Sequence, residues 1–200
     1  MKLNSAREAW HSAFYSQSDG QWIAFEQQHY LGCMVQMSER DRSTLVAMHQ
    51  ALAGPIQGAI ATLPVRLQAF GHHMYGPGTE DDIREAAESL VFDVVYAQML
   101  GRGEKFYAKT MVRAQAIAAG VLYRYRRMHQ GGQSAMPDPL PKPEAFRKWI
   151  EDEKGVKLAS ESWGREWEPF EAACFLACDD LDKAALVPVS QILAVMKEAA

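Results

Sequence analysis

Apolar residues recur along most of this chain at steps of three and four, and no sustained apolar/polar alternation marks a strand. The clearest run is Ile83, Ala86, Ala87, Leu90, Val91, Val94 and Val95, which a helix places on one face that must bury against a partner. Three stretches have the spacing of a helix-opening capping box: Ser5-Ala6-Arg7-Glu8, Ser38-Glu39-Arg40-Asp41 and Thr79-Glu80-Asp81-Asp82, the last two with Asp in place of Glu. The glycines and proline of Gly71-His72-His73-Met74-Tyr75-Gly76-Pro77-Gly78 predict a loop before the third. A further helix is expected from about Gly103 to His129, with Phe106, Val112, Ala116, Ala119 and Tyr123 available for the core. Arg124, Arg126 and Arg127 suit its end, where positive side chains complement exposed carbonyls.

Paired glycines and four prolines between Gly131 and Pro143 exclude a helix interior and predict a linker. The chain is therefore expected to be all-α: a helical body over 1–130, a Gly/Pro-rich linker over 131–143, and a second helical module over 144–200. In that module, Glu144 to Lys154 forms an amphipathic helix with Gly155 suited to its left-handed terminal position. Ser160 can cap a following helix running through Trp167. Helix, short Gly-containing turn, helix is the layout of a helix-turn-helix, and Phe146, Trp149, Ile150, Val156, Leu158, Trp163 and Trp167 would hold its helices together.

With 200 residues, 48% of them hydrophobic, the chain can bury a core without staples. No uncharged stretch is apolar enough for a spanning helix, and the start at Met1 to Glu8 lacks the apolar segment of a secretory signal, so a cytoplasmic protein with no membrane contact is expected. Charge is distributed unevenly. Residues 1–100 carry 6 Lys and Arg against 11 Asp and Glu, residues 101–160 carry 12 against 6, and residues 161–200 carry 3 against 8. A basic middle inside an acidic protein suggests a local polyanion or partner contact through Lys105, Lys109, Arg113, Arg124, Arg126 and Arg127; solvated helix faces would read the same way.

Little points to catalysis. No G-x-S-x-G elbow, HExxH motif or phosphate-binding GxxxxGK[ST] loop is present, and Gly101-Arg102-Gly103 is too short for a nucleotide fingerprint. Glu80-Asp81-Asp82 sits where a first helical turn favours negative charge. Cys174 and Cys178 share a helix face but supply too few ligands for zinc, and with Cys33 they read as reduced thiols. The expectation is a binding protein rather than an enzyme, with no cofactor, no metal and no evident small-molecule substrate.

If the module reads DNA, its second helix presents Ser160, Ser162 and Arg165 to base edges, with Arg147, Lys148 and Lys157 placed to meet phosphates. Glu161, Glu166 and Glu168 would repel a duplex unless they face away, so the pattern serves a plain helical hairpin as well as a DNA reader. From Pro141 onward the chain resembles the C-terminal part of the phage lambda-type late-gene antiterminator Q family, through Pro141, Ala145-Phe146-Arg147, Trp163, Arg165, Pro169-Phe170, Ala173 and Cys178. A weaker likeness surrounds Lys109, Val112 and Tyr123; the paired CxxC motifs of the family's zinc-binding insertion are absent. The resemblance implies a helix-turn-helix that binds double-stranded DNA near a promoter, loads onto bacterial RNA polymerase and suppresses termination. The competing reading is a helical adaptor or inhibitor that binds a protein partner and no DNA.

Overall fold

The fold is seen in a computed structural model, and the residues it describes are 5–14, 51–78, 80–103, 107–129, 136–161 and 163–198. Among the described residues every regular element is helical and no strand occurs. In chain order these are α1 (Ala6–Phe14), α2 (51–61), α3 (Val65–Tyr75), α4 (Asp81–Gly101), α5 (Ala108–His129), α6 (Pro143–Lys154), one π-helical turn (Trp163–Trp167) and α7 (Glu168–Glu198). No helix among the described residues is long and apolar enough to cross a membrane.

The chain divides into two compact units, the first comprising Met1–Leu63, Tyr75–Gly78 and Leu186–Ala200, the second Pro64–Met74 and Thr79–Ala185. In the first unit, Ser5 opens α1 as its spacing predicts, its Oγ accepting from the Glu8 N–H at 3.2 Å. Trp10, Ile56 and Ile60 are buried, and Gln57 Nε2 donates to the Ala13 carbonyl at 2.7 Å, tying α2 to the end of α1.

In the second unit α5 packs against both α4 and α6. Every residue from Ala116 to Leu122 is buried, as expected of a helix covered on all sides. The run Ala-Ile-Ala-Ala-Gly-Val-Leu makes this feasible, because small side chains let neighbouring helices approach. Gly120 is the closest approach: a Cβ there would lie 2.5 Å from Phe146 Cε2 and 3.1 Å from Trp149 Cζ3. Ala116 and Ala119 are in the core as expected, but Val112 is 54% exposed and Tyr123 36%, its ring stacked on Trp149 at the surface. In the first turns of α5 only the side bearing Ala114 is covered, and Val112 lies about 200° round the helix from it. On α4, Ala87, Val91 and Val95 are buried as the periodicity predicts, and Glu80 stands at the N-cap without a side-chain cap bond.

Other expectations need correction. Gly71 to Tyr75 is not loop but the end of α3: Gly71, His73, Met74 and Tyr75 are buried, and that burial outweighs the helix-weakening glycine. The second helix of the C-terminal module does not start at Ser160. Residues 155–160 are non-helical, the Trp163 N–H bonds the Ser160 carbonyl at 3.3 Å, and the first regular turn is the π-helical one. The connection is therefore longer than the about 3–4-residue turn of a helix-turn-helix. Thr79, Cys33, Phe106 and the Ser38 to Asp41 box lie outside the described residues.

Candidate nucleic-acid interface

The residues singled out for DNA sit on α6, the irregular segment after it, and the π-turn. Pro143 opens α6 at a position where a missing N–H costs nothing, and Gly155 closes it with φ of 65°. Phe146 and Ile150 anchor the helix in the core, Phe146 meeting the Trp163 ring edge-on at 5.9 Å. Trp163 and Trp167 are both buried, and the three residues between them are exposed. The widened π-turn thus pins its two tryptophans inward and presents Arg165 outward; such turns recur at functional sites.

Arg165 is 85% exposed and has only a loose 3.7 Å contact with Glu166. Lys157 is 83% exposed, 3.8 Å from Glu151, and Lys148 and Ser160 are exposed. Arg147 is held differently: its guanidinium lies over the Trp163 ring at 5.6 Å, which fixes it beside the π-turn. Ser162 lies outside the described residues. Glu161, Glu166 and Glu168 are exposed in the same stretch, so the surface carries both signs.

The basic residues of the middle segment separate by burial. Lys109, Arg113 and Arg127 are exposed, and Lys105 lies outside the described residues. Arg124 must be withdrawn from the list of surface contacts, being 6% exposed and fully engaged. Its Nε donates to Asp138 Oδ1 at 3.1 Å, its Nη2 to Asp138 Oδ2 at 2.5 Å, and its Nη1 to Glu171 Oε1, while Phe146 and Phe175 flank it with ring centres at 4.6 and 4.9 Å. Burial alone would raise the Asp138 pKa, but hydrogen bonds from Arg124 and the Leu140 N–H, with the Arg124 charge, hold it below the ordinary value. One guanidinium thereby fixes the proline-rich segment and α7 onto α5. Arg126 is half-buried and lines a cleft toward α6.

Cys174 and Cys178 are free and buried on α7, and burial pushes both thiols well above the usual range, so they stay protonated. Among the described residues no three metal-ligating side chains converge. Tyr125 reaches from α5 to the buried Asp182 at 3.3 Å and is a further polar tie to α7. Sequence reasoning did not find His73, Arg84, Trp149 and Lys154 as neighbours of Arg126, because they come from three other helices and share no local pattern. No known protein family, no curated protein and no solved structure matches this chain.

Proposed function

We propose that this protein is a phage-type transcription antitermination factor without enzymatic activity, which binds promoter-proximal double-stranded DNA through α6 and the π-turn and contacts bacterial RNA polymerase with its helical surface. The observation that carries the reading is Arg165, presented outward between the buried Trp163 and Trp167, with Trp163 and Arg165 at positions that resemble the antiterminator family. Lys148 and Lys157, exposed on and just after α6, supply phosphate contacts beside it. The connection over 155–160 is non-helical and longer than the turn of a helix-turn-helix, so this reading takes α6 and the π-turn as two helical pieces joined by an extended segment.

Terminator read-through in the presence of purified polymerase tests the activity, and co-purification tests the partner. Arg165→Ala should weaken binding to the preferred duplex by about 1–3 kcal/mol while leaving random duplex nearly unchanged. Uniform weakening on all sequences would make Arg165 a phosphate contact; no duplex binding by wild-type protein at low salt would remove the DNA role. The second reading, a protein adaptor that binds no DNA, is favoured by the exposed Glu161, Glu166 and Glu168 around Arg165 and by exposed Leu176, Val187 and Val195 on α7.

A further inference from the structure

Four helices of the second unit enclose a cleft of about 380 Å³, to which α3 contributes His73, α4 Glu88, α5 Arg126, and α6 Trp149 and Glu153. Two buried polar atoms on its lining, His73 Nδ1 and Arg126 Nε, have no hydrogen-bond partner among the described residues. His73 is only 4% exposed. Native proteins rarely leave such atoms orphaned, because an unpaired buried donor bears its desolvation cost uncompensated.

The other cations of the cleft are already engaged. Lys154 Nζ donates to both oxygens of Glu88 at 2.9 and 2.7 Å, and Arg84 pairs with Asp81 at 3.0 Å and approaches Glu88 at 3.8 Å. Arg126 makes no ion pair with a described residue, so its guanidinium is the charge left without a counter-ion. A guanidinium presents a planar fork of donors that matches the oxygens of a phosphate or carboxylate. Beside it, Tyr123 and Trp149 stack at 4.7 Å and 19°, offering an aromatic surface, and Glu153 is an exposed acceptor at the rim. Burial first, and then repulsion from Arg126, Arg84 and Lys154, pushes the His73 pKa down to about 4, so at neutral pH this imidazole brings hydrogen bonding and no charge.

We propose that this cleft binds a nucleoside monophosphate, with its phosphate on Arg126, its base against the Trp149 and Tyr123 edge, and its hydroxyl or amino donors toward Glu153. A bare anion would leave the aromatic wall and Glu153 unused. A di- or triphosphate would bring charge that one free guanidinium does not balance, next to Glu88 and Glu153. The volume lies within the about 300–1,000 Å³ of small-ligand sites. The site shares no residue with the exposed cations assigned to duplex DNA, and neither assignment requires the other.

The test is calorimetric titration of the full chain with adenosine 5′-monophosphate, adenosine and inorganic phosphate, paired with melting curves. The monophosphate should bind once per chain and raise the melting temperature, and adenosine should bind at least about tenfold more weakly. Arg126→Gln should weaken the monophosphate about tenfold or more, whereas Arg113→Gln, exposed on the same helix, should change nothing. Trp149→Leu should weaken the monophosphate about fivefold or more and leave inorganic phosphate unchanged. If Arg126→Gln fails to fold, Arg126→Lys keeps the charge without the fork and should still lose affinity. The proposal is overturned if folded wild-type protein binds none of the probes at millimolar concentration. It is equally overturned if adenosine binds as tightly as its monophosphate, or if both folded Arg126 variants bind like wild type.

Discussion

Gly120 would pass in the sequence for one more small residue of an alanine-rich helix; its role depends on Phe146 arriving from α6. Adding a methyl group 2.5 Å from a buried ring atom forces that ring or the helix to move. Gly120→Ala should therefore destabilise the protein by about 1–3 kcal/mol, despite its better helix propensity, and lower the denaturant midpoint. An unchanged or raised midpoint would show that α5 and α6 can part at no cost. His73 makes a second residue-scale case, because the sequence placed it in a loop. Folding lowers its pKa from 6.5 to about 4, so the folded state binds the proton more weakly than the unfolded state. The sign follows: stability is intact above pH 6.5 and is lost progressively as the pH falls toward 4, by up to about 3 kcal/mol. The charged groups lining the same cleft are Arg126, Arg84, Lys154, Glu88 and Glu153. The comparison that isolates the histidine is wild type against His73→Leu, with urea midpoints from pH 7.5 to 4.5. The variant should show the flatter profile, and equal slopes would remove His73 as the cause.

Elements whose ends are chemically marked were legible. Gly155 closes α6 at a positive φ, and its substitution tests how much that cap contributes: Gly155→Ala should cost about 1 kcal/mol, read as a lower melting temperature, because an L side chain is strained there. No change would mean that the connection after α6 can relax into another conformation. The periodicity of α4 likewise gave its buried face, and Ser5 gave the start of α1. Elements set by tertiary contacts were not legible. The end of α3 carries loop residues that burial keeps helical, and the π-turn has no local signature beyond two tryptophans four apart. Val112 followed the helical period and still faces outward, since period alone does not say how far along α5 its neighbours extend. The proposed interface divides the same way. Exposure of Lys148, Lys157 and Arg165 matches their polarity, whereas Arg124 looked like surface charge and is buried by Asp138, Glu171 and two phenylalanines. The cleft around Arg126 left no trace in the sequence because its walls come from four separate helices.

At the scale of the whole molecule, the sign of the charge constrains how DNA could be held. A net charge of −4 opposes approach to a polyanion, and only residues 101–160 carry an excess of cations. Of the cations assigned to the interface, Lys148, Lys157 and Arg165 are exposed and at most loosely paired, while Arg147 rests on Trp163. Each phosphate neutralised on B-DNA contributes about −0.9 to the slope of log affinity against log salt, so Lys148 and Lys157, with Arg165 reading a base edge, predict a slope of about −2. Lys148→Gln with Lys157→Gln should reduce it by about two units, leaving sequence preference largely intact because phosphate contacts position rather than specify. The measurement is a salt titration on promoter-proximal and random duplexes, with a melting curve to confirm that the double variant is folded. A wild-type slope of about −4 or steeper would be about twice what these contacts supply and would require Lys109, Arg113 and Arg127 of α5 to join the interface. A slope near zero, with polymerase still retained, would show that the exposed cations meet no phosphate and would favour the protein adaptor.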